Sequence, residues 1–257
     1  MAFSSLRALM GANSGGGGGG STGQAIFGYG HTGSYVSLKN LVSNVGVVST
    51  DSTGVGTPRN GLAAARYGTD TAIFGFGKDG SNLSMTNLVS NVGVIATDTT
   101  GVGTARGVLS AAGYGGDKAI FGYGYASANV STTNKVSNTG VVATNTDGVG
   151  TAREGSAAAG YGGDKAIFGY GYADARVSVT NKVNNTGDVA TDTTGVGSIR
   201  GWLAASGYGT DTAIFGFGST GSNVSTTNKV SNTGVVSTDT TGIGTARQSL
   251  AATGFGS

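Results

Sequence analysis

Ala25-Ile26-Phe27-Gly28 returns four times along the chain, at residues 72–75, 119–122, 166–169 and 213–216. The step is 47 residues each time, with no insertion or deletion. Five such steps fill residues 23–257 and leave residues 1–22 as a leader. Self-similarity at a fixed period of roughly 20–50 residues marks a repeat architecture, in which each copy buries its apolar face on its neighbours.

Residues 106–152 show what one copy contains. Residues 108–114 (VLSAAGY) read as a strand of small residues, and Gly115-Gly116-Asp117 as a turn. Residues 118–123 (KAIFGY) form a second strand, whose period of two puts Phe121 and Tyr123 on one face and Ile120, Gly122 and Gly124 on the other. A loop over residues 125–129 leads to a third strand at 130–136. Ser137-Asn138-Thr139-Gly140 is a hairpin turn with Gly or Asn at positive φ, and residues 141–146 are the fourth strand. Four antiparallel strands in 47 residues make a propeller blade. The expected fold is therefore all-β: a five-bladed β-propeller of four-stranded blades over residues 23–257, preceded by a separate leader. Small residues recur where blades crowd at an axis, and the AIFG glycines let neighbouring sheets approach closely. Residues 249–256 repeat the inner strand with no AIFG after them, and the first AIFG has no inner strand before it. Pairing this C-terminal strand with the N-terminal blade would close the ring and remove its open edges. A β-solenoid is the rival architecture, disfavoured by long, varied repeats with hairpin turns.

Composition narrows the function. Charged residues are 11 % of the chain and the net charge is +2, too little to argue for nucleic acid or an anionic membrane surface. There is no cysteine, and so no thiolate metal site. No run of 18 apolar residues argues for membrane insertion. His31 is the single histidine, which rules out a multi-histidine metal centre or a histidine-based triad. Gly28–Gly33 matches GxGxxG, but a β-branched strand follows where a dinucleotide site needs a helix. Asp51 and its repeats read as turn residues. Arg59, Arg106, Arg153, Arg200 and Arg247 read as structural, each bonding local carbonyls or the Asp eight residues back. No catalytic residue, cofactor or metal is expected, and the chain reads as a non-enzyme.

Two features point to binding. In the leader, Phe3, Leu6, Leu9 and Met10 fall at helical spacing, and six glycines follow at residues 15–20. This is the pattern of a docking arm on a flexible tether. Within the repeats, two windows vary: the loop between second and third strands, and the start of the inner strand. Both emerge on one face of a four-stranded blade. Loops that vary over a rigid scaffold commonly carry binding. Tyr35, Lys78, Asn82, Tyr125, Tyr172, Arg176 and Trp202 are the candidates there, since aromatic rings among polar and charged groups suit sugars.

The AIFGYG strand, the outer hairpin and the Arg before each inner strand resemble kelch-type repeats across the whole repeat region. Five 47-residue repeats are also similar in architecture to five-bladed tachylectins. A short N-terminal peptide, a glycine tract and Gly/Thr-rich repeats look like virion proteins of tailed bacteriophages. That resemblance implies a structural protein of the virion, assembled in the host cytoplasm as a decoration, fibre or tail-associated adhesion module. It would dock on other virion proteins through residues 1–22 and present its variable face to a host-surface glycan. The alternative is a soluble lectin, which needs no leader.

Overall fold

A computed structural model describes residues 24–254. Among the described residues there are fourteen strands and no helix. They fall into five small antiparallel sheets, one per repeat. The first sheet holds β1 (Ala25–His31) and β2 (Tyr35–Val42). The second is β3 (Ala63–Tyr67), β4 (Thr71–Gly75) and β5 (Thr86–Val89). The third is β6 (Ser110–Tyr114), β7 (Lys118–Gly122) and β8 (Thr133–Val136). The fourth is β9 (Ala157–Tyr161), β10 (Lys165–Tyr172) and β11 (Arg176–Val183). The fifth is β12 (Ala204–Tyr208), β13 (Thr212–Gly216) and β14 (Thr227–Val230). The AIFG segment is the middle strand of every three-stranded sheet. Glycine closes the outer turns as expected, with φ of 75–82° at Gly46, Gly93, Gly140, Gly187 and Gly234.

The expected fourth strand does not form a ladder. Residues 141–146 make only two isolated bridges, Val136↔Val142 and Thr133↔Thr146, whose registers differ by one residue. The buried Asn134 explains the break. Its Nδ2 donates to the Ala143 carbonyl at 3.1 Å and to Asn145 Oδ1 at 3.1 Å, so a side chain takes the place of ladder amides. Asn87, Asn181 and Asn228 repeat the contact.

The expected face assignment is also corrected. Phe121 meets Phe76 of the preceding sheet edge-on, whereas Tyr123 meets Phe168 of the following sheet. The two rings therefore point in opposite directions. The cause is a positive φ of 62° at Tyr123, matched at Tyr29, Phe76, Tyr170 and Phe217, which breaks the period of two. In β1 and β10 the same step appears as a register shift, between Gly28 and Gly30 and between Gly169 and Gly171.

Each pair of neighbouring sheets packs through one repeated interface. A Cβ on Gly28, Gly75, Gly122 or Gly169 would lie 2.6–2.9 Å from the tip of Phe74, Phe121, Phe168 or Phe215. Only glycine admits that ring, as the sequence implied. The ring then meets Tyr29, Phe76, Tyr123 or Tyr170 edge-to-face at 5.1–5.2 Å. An arginine from the linking segment fills the rest. Arg59, Arg106, Arg153 and Arg200 are fully buried. Each lies 3.9–4.2 Å over that aromatic ring. Its Nε donates to a carbonyl of the next sheet at 2.8–3.0 Å. Its Nη2 donates to the buried Asn of that sheet at 2.5–2.7 Å.

The Asp eight residues back is not the arginine's partner. Arg59 lies 3.8 Å from Asp98 of the next repeat, and Arg200 lies 3.7 Å from Asp239. Asp98 is no local turn former either, since it accepts from the Thr57 amide at 2.9 Å and hydroxyl at 2.8 Å, one repeat earlier. The set is thus a clamp between sheets.

The first sheet has two strands, not the four expected of a blade completed by the C-terminal strand. Residues 251–254 form no ladder with β1 among the described residues.

Candidate functional site

The two variable windows meet in the backbone. Isolated bridges join Asn60 to Lys78, Gly107 to Tyr125, Glu154 to Tyr172 and Gly201 to Ser219. The strained aromatic and the glycine after it (φ 100–118° at Gly77, Gly124, Gly171 and Gly218) turn the chain toward the start of the next inner strand.

Beside these bridges the backbone forms a collar. Gly61, Val108, Gly155, Trp202 and Ser249 all have φ of 54–62°. Val108 N–H donates to Gly61 C=O, Gly155 to Val108, Trp202 to Gly155 and Ser249 to Trp202, at 2.8–3.1 Å. The next residues along, Leu62, Leu109, Ser156, Leu203 and Leu250, line one shared cavity. At about 90 Å³ it is too small to hold a sugar ring.

The structure gathers three of the candidates. Tyr172, at the end of β10, stacks on Trp202 with centroids 5.6 Å apart and planes inclined by 30°. Arg176, at the start of β11, holds its guanidinium 5.7 Å over the Trp202 ring. Its Nη2 reaches Ser219 Oγ at 3.4 Å. The other candidates occupy equivalent places in other repeats and do not join this cluster. Tyr35 packs edge-on against His31 at 5.2 Å. Lys78 pairs its backbone with Asn60 and Asn82. Asn82 Nδ2 donates to the Ala126 carbonyl of the next repeat at 2.8 Å. Tyr125 is 42 % exposed and pairs through its backbone with Gly107 and Asn129. The arm candidates Phe3, Leu6, Leu9 and Met10 lie outside the described residues.

One property sets this surface apart from the interfaces below it. Trp202 adopts a left-handed backbone that costs a residue with Cβ about 1–2 kcal/mol, but Val108, Ser249 and the interface aromatics share that conformation, so strain does not distinguish the site. The distinguishing property is incomplete hydrogen bonding. Asn60 Oδ1, Asn129 Oδ1 and Arg176 Nε are shielded from solvent without a partner, and all three lie in the variable windows. Arg176 forms no ion pair with a carboxylate among the described residues. Asn129 and Ser219 are site neighbours that the sequence reading did not single out. Adding 47 to Asn82 and to Tyr172 reaches them, so the repeat itself carried the signal.

Large displacements fall at the interfaces and at the exposed Asp188, which hydrogen bonds from Lys135, Thr186 and Asn184 hold down at about 2. Burial pushes the Tyr123 and Tyr170 phenols up to about 12 and the Arg106 guanidinium down to about 10. Burial works to raise Asp98, Asp192 and Asp239, but hydrogen bonds from neighbouring side chains and the arginine charges outweigh it and hold them below the usual carboxylate value. Tyr172, Arg176 and Trp202 are each half-buried, and together they bring two aromatic rings and a cation to one place. Among the described residues no three His, Cys, Asp or Glu side chains converge as a metal-binding group. Compared with known proteins, the chain matches no family model and no curated sequence.

Proposed function

We propose that the chain is a closed five-bladed propeller that acts as a non-enzymatic display module on a bacteriophage particle. It is held through residues 1–22 and binds a host-surface glycan with its variable face. The observation that carries the binding reading is the Tyr172–Trp202–Arg176 cluster in the variable windows, where buried polar atoms lack partners. Aromatic faces take the apolar side of a pyranose ring, and the guanidinium and nearby amides suit its hydroxyl groups. The propeller reading is supported by the collar bonds, which link successive repeats, and by one cavity lined from all five repeats. Attachment rests on the resemblance of the leader and repeat style to tailed-phage virion proteins.

Co-sedimentation with phage particles tests attachment, comparing the full chain with a variant starting at Gly23. The full chain should travel with the particle and the shortened one should not. If both travel, the repeats make the contact and the arm does not. A soluble lectin is the second reading, favoured by the same cluster, which needs no particle. A glycan array probed with the full chain and with Trp202→Ala tests the shared binding role. Equal signal from both would remove the cluster from either reading.

A further inference from the structure

Four neighbouring pairs of sheets share one interface, and its two halves stand unpaired at the ends of the series. On the fifth sheet, Tyr208 is 40 % exposed, and Arg247 is exposed where its four counterparts are buried. Arg247 still lies 4.0 Å over the Phe217 ring, so the arginine is set as in the other repeats. On the first sheet, Phe27 is half-buried where Phe74, Phe121, Phe168 and Phe215 are at most 1 % exposed. Among the described residues Asp51 accepts from Asn40 Nδ2, at 2.8 Å, and from no threonine of another repeat.

Open repeat arrays end in atypical repeats whose outer faces are polar. Here both terminal faces keep the interface residues instead. We propose that these two faces join each other within the same chain, making a fifth interface with the side-chain contacts of the other four. The proposal rests on the closed-ring reading and adds the specific contacts that hold the seam. The 47-residue period names them. Phe27 would enter beside Phe217 over Gly216, as Phe215 does beside Tyr170 over Gly169. Arg247 would donate to Asn40, as Arg200 does to Asn228. Thr245 would donate to Asp51, as Thr151 does to Asp192 at 2.6 Å. Tyr208 would cover Gly46, as Tyr161 covers Gly234.

A second copy carries the same two faces, so chemistry alone does not choose between partners. Geometry favours the chain's own first sheet. The first and fifth inner segments, 62–64 and 250–252, line the same small cavity, which holds the two ends of the series close together. Tethered ends meet at an effective concentration on the order of millimolar, far above that of free copies.

The absence of cysteine makes a crosslink test clean. Thr245→Cys with Asp51→Cys places one thiol on each face of the seam. Thr57→Cys with Asp98→Cys is the matched pair at an observed interface, where the native groups lie 2.8 Å apart. With a short bismaleimide, both variants should crosslink at monomer mass and with similar yield. A seam crosslink between chains, or none while the matched pair reacts, overturns the proposal. Arg247→Ala, Asn40→Ala and the two together serve if the double cysteine variants fold poorly, because Arg247 already holds the Thr245 carbonyl and lies over Phe217, and only the seam joins it to Asn40. The losses of melting temperature should be clearly less than additive. Additive losses overturn the proposal. Amide hydrogen exchange over residues 251–254 reads the ring separately. Slow exchange without a seam crosslink keeps the ring and rejects these contacts. Fast exchange with crosslinks between chains rejects both.

Discussion

Arg106 is the buried arginine whose clamp lacks a carboxylate. Where the second, fourth and fifth repeats have Asp98, Asp192 and Asp239, the third has Asn145. Only burial displaces Arg106, pushing its guanidinium down to about 10, with no nearby carboxylate to offset it. Asn145→Asp restores the pattern at little geometric cost. Asn145 Oδ1 already accepts from Asn134 at 3.1 Å and from the Thr104 amide at 3.2 Å. Its Nδ2 donates to Thr104 Oγ1 at 2.8 Å, and that hydroxyl need only rotate from acceptor to donor. The template distances are 3.8 Å for Arg59–Asp98 and 3.7 Å for Arg200–Asp239. Charges about 4 Å apart attract by about 1 kcal/mol in bulk water and about 4 at the effective dielectric of a protein surface. The template carboxylates are 27–31 % exposed and pay for their own partial burial, so the net gain falls near the low end, at about 1 kcal/mol. For a chain of this size that is about 2–4 °C in melting temperature. The pH dependence has a definite sign. The equivalent carboxyls titrate below their ordinary value of 3.8, so the gain is full at neutral pH and is lost as pH falls through the lowered folded value. Thermal melts of wild type and N145D at pH 7 and pH 2.5 give the answer. No stabilisation at pH 7, or a gain that survives at pH 2.5, would refute the electrostatic account of the clamp.

Gly122→Ala should lower stability by about 1–3 kcal/mol through overpacking against Phe168, read as a shifted denaturation midpoint at constant slope. A neutral result would mean the sheets separate more easily than the contact implies. Asn134→Ala removes the acceptor for Arg106 Nη2 and the donor to Ala143, and should cost about 3 kcal/mol by the same assay. Trp202→Gly relieves about 1–2 kcal/mol of backbone strain while losing a ring contact worth about 0.5–1.5 kcal/mol. Its melting temperature should stay near that of wild type while glycan binding disappears; a large fall would make Trp202 a packing residue.

The repeat length, the strand order within each copy and the outer glycine turns were legible because they depend on local spacing. Gly28 and its counterparts were legible as points of close approach for the same reason. Three features were not. Tyr123 points away from Phe121 because one residue takes a positive φ, and strict alternation has no place for that. The segment at 141–146 looks like a strand by composition, but Asn134 competes for its carbonyl, and side-chain competition does not show in hydropathy. Asp98 pairs one repeat back with Thr57, a relation between copies that a reading of a single copy misses. At the candidate site, Tyr172, Arg176 and Trp202 were each visible as unusual residues in variable windows. Their convergence was not, because it depends on the bridge between Glu154 and Tyr172 that sets the collar beside the loop.

The collar has an electrostatic consequence. Its peptide groups hand hydrogen bonds from one repeat to the previous one, in a series of four. Aligned peptides in a helix add to a macrodipole that makes one end attract anions. Here the bonded peptides belong to different repeats and not to one helix, so they build no such terminus. The charged side chains of the variable windows, such as Lys78, Glu154 and Arg176, differ from repeat to repeat. Under the proposed binding role, a change at one of them would alter what the face prefers and leave those backbone bonds in place.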